Sequence, residues 1–161
     1  MRYHNITKDD MLNGEGLRTV LWVAGCSHHC PQCHNPVTWD INGGLVFDEQ
    51  AKEELFEELK KDYVSGVTFS GGDPFHLENR EEIGALAKEI REKFPDKTIW
   101  LYTGYEWEEI CHLSFLSNID VIVDGKFKIE EKDNNLHWKG SANQRVIDVK
   151  ASLRAGEVRL Y

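Results

Sequence analysis

Four short apolar runs, at residues 19–24, 66–70, 98–102 and 120–123, are separated by stretches in which apolar side chains recur every three to four positions. This alternation constrains the fold more than any other feature of the chain. The runs are too short for helices and rich in β-branched and aromatic residues, and Gly25, Gly71, Gly104 and Gly125 follow closely on their ends. They are therefore predicted to be strands buried on both faces. Between them, a helix over 49–61 is predicted from Asp48 as N-cap and from Ala51, Leu55 and Leu59 on one face. A second, over 80–94, places Ile83, Leu86, Ala87, Ile90 and Phe94 on one stripe and ends before Pro95. A weaker helix covers 107–116, residues 126–138 read as charged and irregular, and 145–149 with 157–160 are expected to form a hairpin around Ala155-Gly156.

Strands alternating with helices imply an α/β chain with a mostly parallel sheet and right-handed crossovers. With 40% hydrophobic and 11% aromatic residues, residues 1–161 suffice for one domain with a single core. In a parallel sheet the strand C-termini lie along one edge, where α/β folds place their sites. The segments 25–35, 71–74, 103–105 and 124–126 each follow a strand, so they are expected to converge on one rim.

The first of these segments, Gly-Cys-Ser-His-His-Cys-Pro-Gln-Cys-His-Asn at 25–35, holds three of the four cysteines and three of the seven histidines. Three chemistries fit it. Cys30-x-x-Cys33-His34 has the form of a haem attachment site; the cysteines with His28, His29 or His34 could complete a zinc site; Cys26-x3-Cys30-x2-Cys33 suits an iron-sulfur cluster. The opening MRYHNITKDDMLNGEG lacks the apolar run of a signal peptide, and no stretch approaches a membrane span, so a cytoplasmic location is expected. In a reducing compartment clustered cysteines serve as ligands rather than disulfide partners. That location disfavours covalent haem, and the absence of a second Cys-x-x-Cys pair disfavours structural zinc. Cys111 reads as a small buried helix residue. The net charge of −9, with no block of Lys and Arg, excludes nucleic acid as a direct ligand.

Cys26-x3-Cys30-x2-Cys33 resembles the signature of the radical S-adenosylmethionine enzymes, in which three thiolates hold a 4Fe-4S cluster and the remaining iron chelates the methionine amine and carboxylate. Ser70-Gly71-Gly72-Asp73-Pro74 resembles the Gly-Gly-Glu-type segment of that family, with Asp for the commoner Glu. Glycines there let backbone approach the cofactor. Asn13-Gly14-Glu15-Gly16-Leu17-Arg18-Thr19, with Cys33-His34-Asn35 and Thr38-Trp39, is similar to the glycyl-radical activating enzymes. Trp100 to Tyr105, Val123 to Phe127 and Trp138 to Arg145 resemble those members whose protein substrate is the anaerobic ribonucleoside-triphosphate reductase. His34 stands where these often have Tyr and where the pyruvate formate-lyase activator has His.

The resemblance implies a partial (β/α) barrel and a cluster held by Cys26, Cys30 and Cys33. It also implies S-adenosyl-L-methionine against Gln32, Cys33, His34, Gly71, Gly72, Asp73 and Pro74. The chemistry implied is reductive cleavage of the sulfonium and abstraction of a hydrogen from a glycine of the reductase, with flavodoxin or a similar one-electron donor. Orientation and exclusion of water, rather than acid-base catalysis, would be the protein's task. His28 and His29 are read as solvated loop residues. Tyr105, Asp124, Lys126, Asn143 and Arg145 are explained equally by the rim and by turn formation or surface charge.

Overall fold

A computed structural model describes all 161 residues. Its seven strands are β1 (Arg2–Asp10), β2 (Arg18–Val23), β3 (Leu45–Val46), β4 (Gly66–Gly71), β5 (Thr98–Tyr102), β6 (Val121–Asp124) and β7 (Arg145–Asp148). The helices are α1 (Glu49–Leu59), α2 (Arg80–Lys93), α3 (Trp107–Ile110) and α4 (Val149–Ala155). One mixed sheet runs in the order β3-β1-β2-β4-β5-β6-β7, and its middle pairs, from β2 through β4 and β5 to β6, are parallel. β1, β3 and β7 join antiparallel at the flanks.

Periodicity explains the middle of the sheet. The pleat sends Leu21, Val23, Val67, Phe69, Ile99, Leu101 and Ile122 to one face, where they meet Leu55, Leu59, Ile83, Leu86 and Ile90 of α1 and α2 in the main core. Asp48 caps α1 by accepting the Ala51 amide at 2.9 Å. The opposite face carries a smaller cluster of Trp100, Val121 and Val123, covered by Tyr102, Trp138 and Val146. Beside it lies the fully buried Arg18, whose guanidinium reaches Thr68 Oγ1 (2.8 Å), Thr98 Oγ1 (2.8 Å) and the carbonyls of Glu15, Val67 and Thr98. Neutral acceptors surround this charge, and burial pulls its pKa down to about 10.

Four features depart from the sequence reading. Nine residues at the N-terminus form β1, whose mostly polar side chains, with Ile6 alone buried, show no strand run. The helix expected over 107–116 stops at Ile110 and yields to a 3-10 turn over Ser114–Asn118. The expected terminal hairpin is a strand, the helix α4 and a return. Gly156 ends α4 in a left-handed conformation (φ 70°), after which Leu160 bridges back to Ile147. Cys111 is exposed rather than buried.

Candidate metal centre

The parallel strands deliver their ends to one place, as the alternation requires. A cavity of about 340 Å³ is walled by Cys26, His28, Cys30, Cys33, His34 and Asn35 from the cysteine loop and by Ser70 to Asp73 at the end of β4. Tyr102 to Gly104 at the end of β5 and Gly125 after β6 complete that rim. Sequence reasoning missed the remaining walls. Leu12 and Asn13 come from the β1–β2 turn, and Phe127, Leu136, Trp138, Lys139, Gly140 and Gln144 from the segment after β6. That segment looked irregular because it is held by its own hydrogen bonds. Gln144 accepts from the amides of Gly140 (2.9 Å) and Ser141 (3.1 Å) and donates to Gly125 O (3.0 Å). Tyr102 Oη donates to Trp138 O at 2.7 Å, and burial raises its pKa.

The cysteine loop is pinned at its stem by backbone. The amides of Gly25 and Cys26 donate to the carbonyls of Thr38 (2.7 Å) and Trp39 (3.0 Å), and Asp73 N donates to Gly25 O (2.7 Å). Gly72 makes this docking possible: a Cβ there would lie 2.5 Å from Gly25 O and 2.8 Å from Thr38 O. Farther along, left-handed backbone at Gln32 (φ 58°) closes a turn in which Cys33 N donates to Cys30 O at 3.1 Å. All three thiols are free and half-buried. Burial pushes the Cys26 and Cys30 thiols up, while the neighbouring amides of His28 and His29, and of Phe127 with the Lys126 charge, pull the other way. Asn35 N reaches Cys33 Sγ at 3.4 Å.

The loop histidines are engaged elsewhere. His28 Nε2 lies 2.6 Å from Asp73 Oδ2, His29 stacks on Trp39, and His34 meets the edge of Phe127. His28 and His34 line the cavity beside the thiols, but with His28 held by Asp73 and His34 against Phe127 the loop offers three thiols and no second cysteine pair, a set that fits a 4Fe-4S cluster with one iron left for a small ligand better than a four-ligand zinc site.

The other candidates of the sequence are placed as follows. His28 is no solvated loop residue, its side chain being 8% exposed. Asp73 lines the cavity, but its carboxylate is taken up inside the protein by Thr103 Oγ1 and the amides of Phe75 and Gly104 as well as His28. Gln32 is exposed and Pro74 buried, and neither walls the cavity. Asp124 faces Arg145 (2.6 Å) and the Trp107 amide (2.8 Å) rather than the cavity, so this pair is structural. Tyr105 packs on His28, and Asn143 Nδ2 donates to Lys126 O (2.8 Å).

Residues 12–147 match the model of a family described as a 4Fe-4S single cluster domain, which places the chain among iron-sulfur proteins. Curated relatives narrow this class. The chain is 44% identical over 146 residues to the anaerobic ribonucleoside-triphosphate reductase-activating protein of Enterobacteria phage T4, covering 91% of this chain and 93% of that one. It is 40% identical to the protein of the same name from Salmonella typhi and 39% to that of Escherichia coli K12, each over 150 residues, 91% of this chain and 97% of theirs. The chain belongs to the family of anaerobic ribonucleoside-triphosphate reductase-activating proteins. No helix is long and apolar enough to cross a membrane.

Proposed function

We propose that this protein is a radical S-adenosylmethionine activase that generates a glycyl radical on the large subunit of the anaerobic ribonucleoside-triphosphate reductase. One observation carries the reading: three free thiols from a Cys-x3-Cys-x2-Cys loop share a cavity with the glycine backbone that ends β4. Cys26, Cys30 and Cys33 would hold the cluster, which would supply the electron for reductive cleavage of S-adenosylmethionine and a site for its methionine end. The chain's own residues do the rest. Gly71 and Gly72 put backbone on the cofactor wall, and the missing Cβ at each lets the end of β4 pack against the backbone of Val23, Gly25 and Thr38. His34 and Phe127 offer aromatic surface for the adenine. Trp138, Leu136 and Leu12 present apolar walls that keep water from the reacting atoms. The cavity volume lies within the range of small-molecule sites.

The names of the relatives support the reductase as target over pyruvate formate-lyase. A partial-barrel wrap of the sheet around the cavity, a cytoplasmic location and a flavodoxin-like electron donor belong to the same reading. It is tested by anaerobic reconstitution with iron and sulfide, then dithionite and S-adenosylmethionine. The expected products are methionine and 5'-deoxyadenosine in equal amounts. A fully loaded 4Fe-4S protein that leaves the cofactor intact refutes the reading.

A further inference from the structure

The x3 spacer between Cys26 and Cys30 contains a side chain that cluster ligation does not require. It is nevertheless held more firmly than any other histidine of the loop. His28 Nε2 lies 2.6 Å from Asp73 Oδ2, with the two side chains 8% and 2% exposed. Since a carboxylate can only accept, Nε2 carries the hydrogen and donates it. The other donors to Asp73 come from the strand ends: the Phe75 amide (2.8 Å), the Thr103 hydroxyl (2.9 and 3.0 Å) and the Gly104 amide (2.9 Å). The carboxylate is thus fixed by the segments after β4 and β5, and His28 is the cysteine loop's attachment to it.

Packing around the ring is equally specific. A Cβ on Gly104 would stand 2.4 Å from His28 Cδ2, so the absence of a side chain there makes the ring's seat. Tyr105 meets the ring edge-on at 4.7 Å, and the Arg80 guanidinium lies over Tyr105 at 5.3 Å.

We propose that His28 is a positioning residue: through Asp73 it ties the turn between Cys26 and Cys30 to the ends of β4 and β5, fixing the cluster thiolates relative to the cofactor wall. Thr103 and Gly104, bound to the same carboxylate, line the cavity together with His28 and Asp73, so one anchor sets both the cysteine loop and the wall at the end of β5. An anchor of this kind acts on a metal centre through ligand placement and through amides near the sulfurs. The inference rests on the cluster and cofactor reading above for what the placed thiolates then do.

The test compares wild type with His28→Ala, His28→Phe and His28→Gln after anaerobic reconstitution. The readouts are iron and sulfide content, the electron paramagnetic resonance spectrum and midpoint potential of the reduced cluster, and the Kd for S-adenosylmethionine. His28→Phe keeps the ring against Gly104 and Tyr105 without a donor, and stands in if the alanine variant does not fold. Gln places an N–H donor near the position of Nε2. The expected result is a shifted spectrum and potential in His28→Ala and His28→Phe, a Kd weakened about tenfold, and recovery of both in His28→Gln. Overturning results are a lowered melting temperature with spectrum, potential and Kd unchanged, or a glutamine variant no better than phenylalanine. A wild type that takes up no 4Fe-4S cluster refutes the reading of the site itself. A wild type that loads and binds cofactor beside unaltered His28 variants rejects the anchor alone.

Discussion

At Gly72 a single methyl group would strike the carbonyls of Gly25 and Thr38, at 2.5 and 2.8 Å, both of them backbone with no rotamer to yield. Gly72→Ala is therefore expected to lower stability by about 1–3 kcal/mol and to reduce iron uptake, because the displaced carbonyl belongs to the stem of the cysteine loop. Urea titration and an iron assay check both effects, and an alanine variant matching wild type in each would contradict the docking described. The four cysteines should divide just as sharply. Serine at Cys26, Cys30 or Cys33 should abolish a stable 4Fe-4S spectrum. Serine at Cys111, exposed and away from the cavity, should leave iron and sulfide content unchanged.

Asp120, at the entry to β6, joins three elements. It accepts from the Ile99 amide of β5 (2.8 Å), from Arg91 of α2 (2.5 Å) and from Lys150 of α4 (2.9 Å). Burial alone would raise its pKa, but the Ile99 amide, Lys150 and Arg91 outweigh that and hold it low. A depressed carboxylate stabilises the fold above its unfolded pKa, near 3.9, and that contribution disappears as pH falls through the folded value. Asp120→Asn is expected to cost about 2 kcal/mol at pH 7 and to flatten the loss of stability below about pH 4. Urea midpoints across that range decide it, and parallel curves for the two proteins would count against the assignment. Over the other face of the sheet, Trp138 packs on Trp100 at 4.9 Å between ring centres and walls the cavity. Trp138→Ala should cost about 3 kcal/mol and weaken cofactor binding, read by denaturation and by equilibrium binding.

Elements that pack on both sides were legible from the chain. β2, β4, β5 and β6 are continuous apolar runs, and α1 and α2 show clean stripes, so each appears within two residues of its expected bounds. β1 was not, because sheet pairing rather than burial holds it, and its register with β2 is broken by irregularities near Tyr3 and Thr7. The C-terminal return was read as a hairpin because its strand partners are real, while α4 between them is short.

Considered as a whole molecule, the fold gathers residues 12 to 144 around one cavity. The part of the site visible in the sequence was the part built from motifs at strand ends. The wall from Phe127 to Gln144 and the Leu12–Asn13 turn depend on loop hydrogen bonds and on folding back across the sheet, which leave no periodic trace. The roles of Asp73 and His28 were hidden for a related reason. Which polar partner a buried side chain chooses is set by the meeting of segments 45 residues apart.

The central claim is that three thiolates hold a cluster whose chemistry is delivered to a glycine of a partner protein. It is tested most directly by mixing the reconstituted, reduced protein with S-adenosylmethionine and the anaerobic ribonucleoside-triphosphate reductase. The mixture is then examined by electron paramagnetic resonance. A glycyl radical on the reductase that requires the cofactor and is lost with Cys26→Ser is the predicted outcome. A fully loaded 4Fe-4S protein that cleaves the cofactor yet leaves no radical on the reductase would contradict it.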